Sequence, residues 1–105
     1  MFLNHTNDAL SAAGDVHTAI FENESIRVLK VVVPAHYQVP MHWHPRNMIY
    51  VLAPGTFRFS FPNDPSKDVE LALGQVLSGS KIEHAAENIG DTEVQLLVIE
   101  FKQNE

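Results

Sequence analysis

The chain has 105 residues, 45% of them hydrophobic and 19% charged, which suits one globular domain with a modest core and leaves little room for a second. It contains no cysteine, which excludes disulfide scaffolds, thiolate metal sites and cysteine nucleophiles. Seven Lys plus Arg stand against thirteen Asp plus Glu, a net charge of -6, so neither nucleic acid nor an anionic membrane surface is an expected partner.

Residues 1–15 are polar and rich in small side chains, with one Ala-containing stretch (Ala9 to Ala13) too short to stand as an independent helix. They read as an N-terminal arm that orders only by packing, ahead of a single domain over residues 16–105. The arm has no basic leader pattern, and no apolar run approaches the roughly 18 residues of a membrane span, so the expected location is the cytoplasm.

From Val16 onward, short β-type runs alternate with Pro, Gly, Asn and Asp. They are His17 to Glu22, Ile26 to Val33, Ile49 to Leu52, Thr56 to Phe61, Val69 to Leu73, Gln75 to Ser78, His84 to Asn88 and Glu93 to Lys102. Asn63-Asp64-Pro65-Ser66 and Asn88-Ile89-Gly90-Asp91 read as turns. In Phe57-Arg58-Phe59-Ser60-Phe61 every second residue is aromatic, so the three Phe side chains share a core-facing side. The runs around Val28 to Val33 and Leu96 to Ile99 are apolar on both faces, which predicts a covered outer face and hence a homodimer. No helical periodicity follows Val16. The pattern predicts an all-β sandwich, jelly roll or small barrel.

Six histidines occur, at positions 5, 17, 36, 42, 44 and 84. In an extended segment, His42 and His44 of His42-Trp43-His44 point to one face about 7 Å apart at their Cα atoms, within reach of one ion. His84 joins them only if its strand lies alongside. His36 and Gln38 share the parity of His42, with Pro40 between, and either is a candidate extra ligand. Trp43 faces the other way, towards a rim or subunit interface. His5 and His17 have no partner in the sequence and read as surface groups.

The stretch Met41-His42-Trp43-His44-Pro45-Arg46-Asn47-Met48 through Gly55 resembles the first motif of the cupins, and Gly74-Gln75-Val76-Leu77 with His84-Ala85-Ala86-Glu87-Asn88 resembles the second. The likeness covers about residues 24 to 102. Met48 stands where the motif usually has glutamate, Ser80 and Ile82 replace the usual proline and glycine, and the interval from Gly74 to His84 is one residue shorter. The resemblance implies a cupin-type jelly-roll β-barrel of two antiparallel sheets, with His42, His44 and His84 pointing inward near one mouth as metal ligands. By alternation, Met48, Tyr50 and Leu52 are expected on that inner face, lining a pocket with Phe57, Phe59 and Phe61.

Three imidazoles without a carboxylate suit Fe, Mn, Ni, Zn or Cu and leave the dipositive charge uncompensated, which favours a small anionic organic ligand. Met48 is either a core filler or a soft extra ligand. Tyr50 is the candidate proton donor to substrate, and Asn88 either ends its strand or orients a histidine. The expected function is a metal-dependent dioxygenase, isomerase or lyase; the alternative is a non-catalytic cupin that binds or senses a small ligand at a degenerate site.

Overall fold

The computed structural model of the chain describes residues 7–102. One short helix, α1 (Ala9–Ala12), precedes nine strands: β1 (His17–Glu22), β2 (Ile26–Val33), β3 (Gln38–His44), β4 (Asn47–Ala53), β5 (Gly55–Ser60), β6 (Lys67–Leu71), β7 (Val76–Gly79), β8 (Ile82–Asn88) and β9 (Val94–Phe101). They form two sheets of order β1-β2-β9-β4-β7 and β3-β8-β5-β6, with every pairing antiparallel. Among the described residues, no helix is long and apolar enough to cross a membrane.

Period-two alternation builds the core between the sheets. Leu29, Val31 and Val33 of β2 face inward opposite Val98, Leu96 and Val94 of β9, and all six are buried. Phe57 of β5 and Leu71 of β6 meet them from the other sheet. Arg58, on the outer side of β5, is exposed and paired with Asp68. The same β2–β9 register sets Arg27 directly against Glu100, both facing inward and buried, so a charged pair sits at the end of an apolar stripe.

Eight of the strands follow the runs expected from the sequence, β1 and β2 to the residue. The strand carrying His42 and His44 was not among them, because Pro40 breaks its pattern. Proline is tolerated there for two reasons: β3 is the edge of its sheet, and its pairing with β8 slips between Val39 and His42. This bulge also inverts parity. Val39 is buried and Gln38 exposed, so Gln38 does not share the face of His42. His36 lies in the preceding turn at φ 65°, exposed and paired with Asp91. Neither approaches the histidines as an extra ligand.

Alternation also fails to carry from β3 into β4, since the chain crosses from one sheet to the other between His44 and Asn47. Asn47, Ile49 and Val51 therefore face inward. Met48 and Tyr50 are exposed on the outer surface, and Leu52 follows their side of the strand, the reverse of the expectation. Of the expected arm, residues 7–15 are described: α1 packs Ala9 and Ala13, both fully buried, onto the barrel. His5 lies outside the described residues.

Candidate metal centre

His42 and His44 project inward from β3, and the β3–β8 register puts His84 directly opposite His42. A fourth imidazole arrives from β1: His17 is 4% exposed, not a surface group, because the Ala13 carbonyl and the rings of His42 and His44 pack against it. Ring centroids are 4.9 Å apart for His17–His42, 5.4 Å for His17–His44, 4.8 Å for His42–His44 and 4.8 Å for His42–His84. His84 is 5.5 Å from His44 and stacks on Phe59 at 5.0 Å. One ring nitrogen from each of His17, His42 and His44 lies within 4.8 Å of the others.

Three of the rings are fixed through Nδ1. His17 Nδ1 donates to the Ala13 carbonyl at 2.9 Å and His42 Nδ1 to the Pro40 carbonyl at 2.7 Å. His44 Nδ1 is 2.6 Å from Oε2 of Glu100. A carbonyl can only accept, so in the first two rings the proton sits on Nδ1 and the Nε2 lone pair is free. Burial, reinforced by the neighbouring imidazoles, lowers His17 and His44 to about 3 and His84 to about 2; burial lowers His42 as well. All four are thus neutral at physiological pH, the state a metal ligand requires.

Behind His44 lies a buried chain of charges. Glu100 Oε1 accepts from Arg27 Nε at 2.8 Å, and Arg27 reaches the Asp8 carboxylate at 2.7 and 3.2 Å. Burial raises the Glu100 carboxyl to about 7 against the opposing pull of Arg27. Carboxylate contacts of this kind orient a ligand imidazole and increase its basicity.

The histidines form one end of a cavity of about 320 Å³. Its walls are mainly apolar, with Phe57, Phe59, Phe61, Ile49, Val69 and Leu77 among them, and Lys67 is the one cationic side chain among the described residues that line it. Phe57, Phe59 and Phe61 thus lie where the sequence placed them. Tyr50 and Leu52 do not line the cavity, and Tyr50 is therefore not positioned to give a proton to anything bound in it. Asn88 is also away from the histidines: its Nδ2 donates to the Val33 and Thr92 carbonyls and its Oδ1 accepts from Gly90 N–H, which closes the β8–β9 turn.

The residues missed in the sequence are His17, Asp8, Arg27 and Glu100. Arg27 and Glu100 carried a signal, since each has the parity of buried aliphatic neighbours in its strand. A charge held in such a register needs a buried partner.

No protein-family model and no curated protein matches the chain. Solved structures do. A cupin domain protein from Bordetella pertussis Tohama I superposes with a TM-score of 0.78 at 23% identity, over 84% of this chain and 93% of that one. An RmlC-like cupin protein with a double-stranded β-helix fold from Methanocaldococcus jannaschii gives 0.65 at 14% identity, over 82% and 78%. The DMSP lyase DddQ from Ruegeria pomeroyi gives 0.59 at 23% identity, over 88% of this chain and 50% of that one. The two antiparallel sheets, with inward histidines at one end of the barrel, are therefore a cupin fold, the double-stranded β-helix.

Proposed function

We propose that this chain is a metal-binding cupin that acts on a small anionic organic molecule. The observation that carries the reading is the buried His17, His42 and His44 triad with its ring nitrogens within 4.8 Å, at the end of an apolar cavity. The donor set fits a divalent transition metal: the rings are neutral, and at His17 and His42 the Nδ1 proton is committed elsewhere. His84, in contact with His42 and His44, is placed to add a fourth nitrogen or to border the bound molecule.

When bound, the ion supplies Lewis acidity and, if it is redox-active, the electrons for dioxygen chemistry, so dioxygenase, isomerase and lyase reactions all fall within the proposal. Fe, Mn, Ni, Zn and Cu all accept such ligands. The protein's own residues bind and orient. Phe57, Phe59 and Phe61 exclude water and receive an apolar body, and Lys67 favours an anionic group. The lyase class also has a structural neighbour in the DMSP lyase.

One observation favours a second reading, in which the cavity binds or senses its ligand without turnover. Among the described residues that line it there is no carboxylate and no tyrosine, so apart from the histidines only Lys67 offers a titratable group. A homodimer is part of the same proposal: Met48, Tyr50 and Val76 form an exposed apolar patch on the outer sheet, of a kind that a second subunit covers.

Elemental analysis of protein purified without chelator tests the metal reading. About one equivalent of a transition metal is expected, and none in a variant with His17, His42 and His44 all changed to alanine. No metal after anaerobic reconstitution with Fe(II), Mn(II), Ni(II) and Zn(II) would overturn it. If metal is present, turnover of small carboxylates and keto acids separates the enzyme from the binder.

A further inference from the structure

We infer that the N-terminal segment 7–13 is a working part of the metal centre, positioning two of its imidazoles so that metal binding and docking of the segment strengthen one another. The inference rests on the metal reading above and adds to it a coupling between two parts of the chain.

Two separate paths lead from the segment to the ligands. The first is direct: Ala13, the C-cap of α1, supplies the carbonyl that accepts from His17 Nδ1. The second passes through charges. Asp8 is the N-cap of α1, its carboxylate accepting from Leu10 N–H, and the same carboxylate accepts both terminal nitrogens of Arg27. Arg27 holds Glu100, and Glu100 meets His44 Nδ1. One aspartate therefore starts the helix and anchors a relay of charge-assisted bonds that ends on a ligand.

The segment is also seated on the strand that carries His42 and His44. The Asn7 carbonyl accepts from Trp43 N–H at 2.7 Å, Asp8 forms a parallel bridge with Trp43, and the Asn7 side-chain amide donates to Glu83 on β8. A helix of four residues has no stability of its own, so docking is held by these contacts and by the burial of Ala9 and Ala13. Docking therefore rests on contacts with the strands that carry the ligands, and an ion that fixes those ligands acts on the same contacts. Oε2 of Glu100 sits on Nδ1 of His44, so a cation on the far nitrogen of that ring polarises the Nδ1–H bond, strengthens this contact and favours the assembled relay.

Linkage makes the coupling reciprocal. The test is hydrogen exchange in the wild-type protein, chelator-treated and loaded with Zn(II), read at the amides of Ser11, Ala12 and Ala13, which donate to carbonyls within the segment. Metal should slow their exchange about tenfold, and Asp8→Asn should weaken Zn(II) binding by a similar factor with unchanged stoichiometry. Asp8→Glu should recover part of the loss. Asn88→Ala, which loosens a turn away from the histidines, should leave the affinity unchanged. Zn(II) binding with equal exchange in both states, or an Asp8→Asn affinity equal to wild type, would overturn the coupling and leave the metal site standing. Failure of the wild type to bind any metal would overturn both. The exchange comparison needs no variant, so a poorly folded Asp8→Asn protein does not rescue the idea.

Discussion

Acidification should destabilise the metal-free protein, and the structure sets the size of the effect. His17 and His44 titrate at about 3 and His84 at about 2 in the folded chain, against 6.5 when unfolded. Below 6.5 the unfolded chain takes up protons that the folded chain refuses, so stability present above that value is lost as pH falls towards the folded values. Between pH 7 and about pH 5.5 each of these imidazoles costs about 1 kcal/mol, and the three together about 3–4 kcal/mol. Glu100 works in the opposite direction. Its folded value of about 7 lies above the unfolded 4.5, so the folded state gains a proton first over the same window. This returns about 1–2 kcal/mol and leaves a net loss of about 2 kcal/mol, to which the lowered His42 adds with the same sign. Urea denaturation of chelator-treated protein at the two pH values measures it, with the slope against urea unchanged. His84→Gln should reduce the net loss by about 1 kcal/mol, the share of one imidazole. Equal or greater stability at pH 5.5 would refute the account of four buried neutral imidazoles.

Parity in β4 can be tested with a pair of variants. Met48→Glu puts a charge into the outer patch proposed to be covered by a second subunit, so it should weaken dimerisation while leaving Zn(II) affinity unchanged. Ile49→Glu should cost the metal-free protein about 2–3 kcal/mol by burying a carboxylate in the cavity wall, a loss that Zn(II) reduces; denaturation with and without metal reads both. Asn88→Ala removes three hydrogen bonds at the β8–β9 turn and should cost about 2–4 kcal/mol in a urea melt, while metal stoichiometry stays the same. Gly55→Ala drives a methyl group into Val94, itself fully buried, and should lower stability by about 1–3 kcal/mol.

What was legible in the sequence was what period-two alternation and turn chemistry encode. β1 and β2 could be read to the residue, as could the inward face of Phe57 and Phe59, because each depends on neighbours within its own strand. What could not be read depended on breaks in that alternation or on the partner strand. The bulge in β3 shifts the count by one and takes Gln38 off the inner face. The sheet change between His44 and Asn47 does the same for Met48, Tyr50 and Leu52. His17 is an ordinary polar residue at the start of a strand until β1 is laid beside β2, and only then does it come to lie against His42. Arg27 and Glu100 become a pair only through the β2–β9 register, although each stood out as a charge in an apolar row.

The histidines come from positions 17, 42, 44 and 84, on strands of both sheets. No local segment of the chain holds three of them, so the cluster can exist only after the first strand has joined β2 and β3 has closed against β8. The first is a local hairpin, but β3 and β8 are far apart in the sequence, and such a long-range closure comes late in folding. An ion that recognises the finished cluster has little to hold in the transition state, and it should lengthen the lifetime of the folded barrel while leaving the rate of folding nearly unchanged. Metal at this site would then act chiefly as a kinetic lock on a barrel that had already assembled without it.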